Sequence, residues 1–286
     1  MAQMKLLSAA AIRRCLVADE GKAIITADFD QIELRVAAAL AGETSLIEAA
    51  KRNESLHKVV ALKVFSENYT PDEYRYAKNL DFGWLFGGGA DTLSKQTGIT
   101  FSKAAGLIHD FEEMFPALKM YKRRKTENVL RSALSSSEYK AYRALKSRMY
   151  MYRTDTSEGK AARKMIQLEI KRLCYRKIGY VTTPFGRRLI VDAEKAYSVV
   201  NYEVQSSAAD LMKDALLDVM GDPELEPTVL LPIHDEILGQ ENIDKAEYTA
   251  QRYAEVMTRT FMGVPISASG KVYGKSWGHG YHNNKE

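Results

Sequence analysis

A chain of 286 residues and 32.2 kDa, 45% apolar and 27% charged, holds material for one large domain or two ordinary ones, and its composition excludes disordered and collagen-like classes. Its longest apolar runs, such as residues 36–41 and 229–233, stop far short of the roughly 20 residues of a membrane span; residues 1–7 carry no signal-peptide pattern; and Cys15 and Cys174 alone supply neither a disulfide framework nor a four-ligand zinc site, so a cytoplasmic chain with no membrane partner is expected. The formal net charge of +4 hides a division: residues 119–178 carry 18 Lys+Arg against 5 Asp+Glu, a net of +13, which leaves 23 against 32, a net of −9, for the rest.

In chain order, Lys22–Ala27 reads as a buried strand and Gln31–Ala41 as a helix stopped by Gly42, which puts Asp28 where strand gives way to helix. A second helix is expected from near Pro71, with Thr70 as its cap, Asp72 and Glu73 suited to the dipole, and Gly87-Gly88-Gly89 as its end. Helical spacing then runs to about residue 178, broken near Phe115-Pro116 and around residues 154–159. The basic segment lies here, interleaved with Tyr121, Tyr139, Tyr142, Tyr150, Tyr152 and Tyr175. That mixture suits phosphate contact with base stacking, although a solvated helical face has the same composition. Tyr180–Thr183 and Arg187–Val191 read as a hairpin turned at Pro184-Phe185-Gly186, and Val204–Met220 as a helix. Val229–Ile233 and Ile237–Gly239 read as short strands flanking His234-Asp235-Glu236. No repeat is visible, and strands at both ends enclose a long helical section.

Two places carry chemistry. Asp28 closes one apolar strand and Asp235-Glu236 interrupts another apolar stretch 207 residues later. A carboxylate beside buried strands is costly unless a metal ion or cationic partner neutralises it, and two acids converging from distant strands is how a two-metal site for phosphoryl transfer is made. Taken singly, each Asp also serves as a helix cap or a turn residue. On the helix after Pro71, Arg75, Lys78, Phe82 and Phe86 fall within about 80° at 100° per residue, a stripe with cations first and rings after. Such a stripe could hold a triphosphate and a base, and an amphipathic core helix shows the same spacing.

Five segments occurring in order resemble the family A DNA polymerases, the group of bacterial DNA polymerase I and many phage replicative enzymes. Asp28-Phe29-Asp30-Gln31-Ile32-Glu33-Leu34-Arg35-Val36 resembles the first catalytic motif, and Lys78-Asn79-Leu80-Asp81-Phe82-Gly83-Trp84-Leu85-Phe86-Gly87 the nucleotide-binding helix. Ile233-His234-Asp235-Glu236 resembles the second catalytic motif. Between them, Thr183-Pro184-Phe185-Gly186-Arg187-Arg188 and Asn201-Tyr202-Glu203-Val204-Gln205-Ser206-Ser207-Ala208-Ala209-Asp210 match further family segments.

The resemblance implies roles. Asp28, Asp235 and the Phe29 carbonyl would bind two Mg²⁺ ions, with Mn²⁺ as a substitute, and Glu236 would sit close by. Lys78 would neutralise the triphosphate and protonate pyrophosphate, making it catalytic beside the acids. Gln31, His57, Arg75 and Phe86 join the nucleotide site, in which Phe82 stacks on the incoming nucleotide and Glu33 blocks a 2′-hydroxyl. Asn201 and Gln205 would contact the primer-template minor groove, whose acceptors are similar for every base pair; His234 would approach the primer end, and Arg187 and Arg188 would bind DNA. Glu33 argues against a single-subunit RNA polymerase, and His-Asp-Glu at the second motif against a reverse transcriptase.

The chain departs from the family where Tyr74 replaces an expected Arg, for which Arg75 would compensate, and in an insertion at about residues 125–177 that would grip template or downstream DNA. The implied fold is α+β: a polymerase palm built on an antiparallel sheet with a mostly helical fingers subdomain inserted, and no thumb or exonuclease domain. Residues 1–32 would be palm, 33–200 fingers and 201–286 palm. The implied function is DNA-directed DNA synthesis from dNTPs on a primer-template, in replication or repair, in a bacterial or phage-infected cell. The alternative is a non-enzymatic DNA-binding subunit, or half of a split enzyme awaiting a separate thumb- or exonuclease-bearing polypeptide.

Overall fold

The computed structural model describes residues 9–153, 156–225 and 228–279. In chain order, α1 (Ala9–Cys15) and β1 (Lys22–Phe29) lead into α2 (Ile32–Ala41), α3 (Thr44–Lys51), α4 (Leu56–Phe65) and α5 (Pro71–Leu85). Five more helices follow: α6 (Ala90–Thr97), α7 (Phe101–Met114), α8 (Pro116–Ala133), α9 (Ser136–Tyr150) and α10 (Ser157–Cys174). The hairpin β2 (Ile178–Thr182) and β3 (Arg188–Asp192) precedes α11 (Val199–Gly221), and β4 (Val229–Ile233), β5 (Glu236–Asn242), α12 (Ala246–Met257), β6 (Arg259–Phe261), β7 (Val264–Ile266) and β8 (Ala268–Gly274) complete the chain. Among the described residues no helix is long and apolar enough to cross a membrane.

The expected α+β organisation forms; α1, α3 and α4 are helices that the sequence reading does not place, and two further differences concern the strands and the C-terminal elements. β1 carries on through Asp28 and Phe29, because Asp28 is paired on both sides, opposite Glu236 on β5 and Ser269 on β8, and this keeps its backbone extended. The elements after β5 were not expected; β8, with its glycines and half-buried pattern, gives no alternation to read.

The chain packs as two units. One comprises Met1–Ala39, Ile47–Leu56 and Ala208–Glu286; the other comprises Leu40–Leu46 and His57–Ser207. The sequence reading places its transitions at 32/33 and 200/201. In the first unit an antiparallel sheet runs β4-β5-β1-β8, with β1 central. Ile24, Ile25 and Ala27 are wholly buried, which is why β1 reads as a continuous apolar run. Helix α12 lies across β1 and β8. It comes so close that a Cβ on Gly270 would stand 2.1 Å from the Ala250 carbonyl oxygen, so β8 needs a residue without a side chain there. Buried Tyr253 fixes the helix further, its hydroxyl 2.7 Å from that of Thr228.

The second unit is helical around α8, whose Leu118, Tyr121, Val129 and Leu130 are buried. Phe111 and Phe115 meet at 4.9 Å between ring centroids and Trp84 and Phe111 at 5.4 Å, edge-tilted contacts that suit aromatic quadrupoles. Strand β2 rests on α8, where a Cβ on Gly179 would lie 2.3 Å from the Val129 carbonyl oxygen and the Tyr180 N–H donates to Ser132 Oγ at 3.1 Å. Glu203, buried near the start of α11, accepts from the Tyr121 hydroxyl and from Lys125 Nζ, both at 2.7 Å. Helix α9 opens on a Ser135/Glu138 capping box and is tied to α10 by the Arg148–Glu169 ion pair at 2.9 Å.

Candidate active site

The first unit gathers the predicted acids at one end of its sheet. Asp28 and Glu236 are direct partners across β1 and β5, so their side chains share a face. The Phe29 N–H donates to the Asp235 carbonyl at 3.1 Å, which brings the end of β1 and the turn between β4 and β5 together. Burial pushes the Asp28 carboxyl up to about 7, reinforced by the charges of Asp235 and Glu236 and opposed by Lys271. Asp235 and Glu236 are also held above the carboxylate range by burial, the latter with Thr26, Arg13, Lys271 and Trp277 pulling it back. Three acids that each resist ionisation in one place fit a divalent cation, whose charge removes the conflict.

Among the described residues no three His, Cys, Asp or Glu side chains converge into a ready-made metal cage. An all-oxygen donor set with few protein ligands still suits Mg²⁺, which binds through one or two carboxylates and completes its shell with water and phosphate oxygens.

Two residues beside these acids have left-handed backbones: Gln31 at φ 55° and His234 at φ 57°. Neither is glycine, and such conformations cluster at functional sites. The Gln31 amide donates to Ser55 Oγ at 3.2 Å and accepts from the Leu56 N–H at 2.8 Å. Glu33 stands half-buried in the first turn of α2. Asp30, inside the first motif but given no role from the sequence, accepts from the Ser267 and Ser269 hydroxyls at 3.0 and 2.8 Å. Buried Arg35 clamps the same corner through the Asp30 and Pro265 carbonyls, both at 2.8 Å.

The second unit carries the predicted nucleotide stripe. Thr70 caps α5 in a reciprocal box with Glu73, and Pro71 takes the first turn, as the sequence predicts. Phe82 and Phe86 stack at 6.2 Å with 12° between planes, which forms the apolar end of the stripe. At the polar end Lys78 is exposed with its ammonium 5.0 Å from the Tyr74 ring, and Arg75 pairs with Asp72 at 3.0 Å. His57, on α4, is buried and its ring lies 5.3 Å from that of Phe82.

What the sequence reading missed is the partner of His57. Asp81 Oδ2 lies 2.6 Å from His57 Nδ1, and Asp81 Oδ1 accepts from the Phe82 N–H at 2.6 Å. A signal was available: Asp81 occupies the same face as Ala77, Leu80, Trp84 and Leu85, and an acid at a core position requires a partner. Burial pushes the Asp81 carboxyl up while the His57 contact draws it down.

The remaining predicted DNA contacts lie on other elements of this unit. Arg187 and Arg188 are exposed at the turn and start of β3, Arg188 stacked 3.8 Å over Tyr180, while Asn201 and Gln205 are one turn apart on α11.

The model of DNA polymerase family A matches residues 4–170 and 163–279. The chain belongs to DNA polymerase family A. It is 30% identical over 272 residues to the DNA polymerase of Mycobacterium phage D29, spanning 94% of this chain and 37% of that one. Against the thermostable DNA polymerase I of Thermus aquaticus it is 29% identical over 283 residues, 93% of this chain and 28% of the relative. Among solved structures, the POL domain of Pol1 from M. smegmatis, in complex with DNA primer-template and dNTP, superposes with a TM-score of 0.69 at 25% identity, covering 98% of this chain and 45% of that one. The chain thus spans about a third of the length of these curated relatives.

Proposed function

We propose that the chain provides the palm and fingers of a DNA-directed DNA polymerase that adds dNTPs to a primer 3′ end, with primer-template DNA as its partner. The observation that carries this reading is the meeting of Asp28, Asp235 and Glu236 at one sheet end, where burial first and the charges of the other two acids second push the Asp28 carboxyl up to about 7. Asp28 and Asp235, with the Phe29 carbonyl, would hold Mg²⁺, which when bound lowers the cost of charge on the attacking 3′ oxygen and on the leaving pyrophosphate.

The chain's own side chains do the rest. Lys78 and Arg75 balance triphosphate charge, and Lys78 Nζ gives a proton to the departing pyrophosphate. Phe82 offers its ring to the base or sugar, while Phe86 and Gln31 shape the surroundings. Glu33 turns away a 2′-hydroxyl by bulk and charge. Asn201 and Gln205 read minor-groove acceptors common to all base pairs, which checks geometry without reading sequence, and His234, Arg187 and Arg188 steady the primer-template.

Primer extension on a recessed primer-template with Mg²⁺ and four dNTPs, beside Asp235→Ala, tests this. Extension that disappears in the variant is expected. Salt-sensitive DNA binding without extension by the unaltered chain would instead support the non-enzymatic DNA-binding reading or a half-enzyme, and adding a thumb-bearing polypeptide would separate those two.

A further inference from the structure

The basic, tyrosine-rich segment has a shape that none of the family's motifs uses. Helices α8 and α9 border an open cleft of about 620 Å³ whose lining includes Arg123, Arg143 and Lys146 and the rings of Tyr139, Tyr142 and Tyr150. None of the three cations has an ion-pair partner among the described residues. The cleft's one carboxylate, Glu127, accepts from the Tyr139 hydroxyl at 2.5 Å and from Arg131 at 3.1 Å, and these contacts, with the charges of Arg131 and, least, Arg143, hold its carboxyl below the usual range. Tyr139 and Tyr142 stack at 6.5 Å with 16° between planes, a continuous aromatic wall. Tyr150, 72% exposed, stands with its ring open to solvent. Burial keeps Lys146 below its ordinary range, so an entering anion would repay the desolvation of its ammonium.

We propose that this cleft is a binding site for single-stranded DNA, its phosphates held by Arg123, Arg143 and Lys146 and its unstacked bases by Tyr142 and Tyr150. The volume is that of a small-ligand pocket, with room for splayed nucleotides, and tyrosine faces serve only bases that have left the stack. The inference rests on the polymerase reading in one respect: the strand it names is the unpaired template overhang.

The test measures fluorescence anisotropy of the full chain with a labelled DNA hairpin carrying a 5′ single-stranded overhang and with the same hairpin blunt-ended. Arg143→Glu combined with Lys146→Glu is expected to weaken overhang binding at least tenfold and to flatten the log Kd against log salt slope by about 1.4, the value for two phosphates on a single strand. The blunt hairpin should change less than about threefold, and Tyr150→Ala should cost the overhang about fivefold with its salt slope unchanged. Lys164→Glu with Lys171→Glu on α10 reverses the same charge on exposed residues outside the cleft. Equal losses on both hairpins, or losses as large in that control, would overturn the proposal. If circular dichroism shows the double variant unfolded, Tyr150→Ala decides alone, because removing so exposed a ring leaves the fold untouched; an unchanged overhang affinity there also overturns it. No nucleotide addition is involved, so failure of the polymerase reading, seen in primer extension, stays separate from failure of the cleft.

Discussion

Asp28 lies two residues from fully buried Thr26 and directly opposite Glu236, so ionising it adds charge where the strands offer little solvation. Removing that charge should help the fold and ruin the chemistry. In chelator at pH 8, Asp28→Asn is expected to raise the midpoint of thermal unfolding by a few degrees, on the order of 1–2 kcal/mol. Added Mg²⁺ should stabilise the unaltered chain by mass action and leave the variant unmoved. Differential scanning fluorimetry reads both; an equal Mg²⁺ response in the two proteins would detach Asp28 from the metal. His57 poses the opposite case. From the sequence it is a lone histidine on a helix, and only the fold reveals that Asp81 meets it at 2.6 Å. Asp81→Asn retains an acceptor for the Phe82 N–H and loses the charge-assisted contact, which should cost about 2 kcal/mol in urea unfolding and change which His57 ring nitrogen is protonated in ¹⁵N spectra. An unchanged unfolding curve with an unchanged spectrum would mean that the pair does not hold His57.

Helix α5 was legible because every local signal agrees: Thr70, Pro71 and Glu73 at its start, glycines after its end, and an apolar stripe between. The hairpin β2–β3 was legible from its Pro-Phe-Gly turn and short β-branched flanks. Beyond Gly239 the signals divide: α12 carries helical periodicity, burying Ala246, Thr249, Ala250, Tyr253, Ala254 and Met257, and was readable though not read, whereas β8 depends on close backbone approach at Gly270. Long-range ties such as Glu203 to Tyr121 and Lys125 were hidden for the same reason: they join residues about 80 apart. Where α8 meets α5, Lys122 Nζ donates to the Trp84 carbonyl at 2.9 Å and sits 4.2 Å over its ring, and burial pushes the ammonium down to about 8. Unfolding restores its ordinary affinity, so from about pH 8 to 10.5 the unfolded chain holds the extra proton and stability contributed by this site rises with pH. Below pH 8 both states are charged and the cost of burial is felt in full. Lys122→Met therefore should gain most over the unaltered chain near pH 7 and lose up to about 3 kcal/mol of that relative gain by pH 10.5. The missing hydrogen bond adds an offset that does not vary with pH, so urea midpoints across the range isolate the titration; a constant difference would show that Lys122 does not titrate in this window.

At the scale of the whole chain, the first unit is assembled from three separate segments and the second lies between them in sequence, so no single boundary could be read from composition. The charge division was readable and is the stronger guide to the proposed function: a segment with a net of +13 inside a chain of net +4 would concentrate counterion release in one place. Within it, residues 135–176 leave α8 and return at β2, and their ends are close, since the Tyr180 N–H donates to Ser132 Oγ across the return. Two helices can thus be removed without pulling their anchors apart. Replacing residues 135–176 with a short Gly-Ser linker is expected to leave a folded protein, because Glu203, Tyr121 and Lys125 still hold α11 to α8. It removes 11 Lys+Arg against 4 Asp+Glu. If α9 and α10 meet phosphates, primer-template affinity at low salt should fall by tenfold or more and the salt slope should flatten by one or more, about 0.7 for each phosphate of the unpaired overhang that is no longer neutralised. An unchanged slope with reduced affinity would mean that these helices act on the shape of the unit and touch no phosphate, and an unchanged affinity would confine DNA binding to the elements shared with the family.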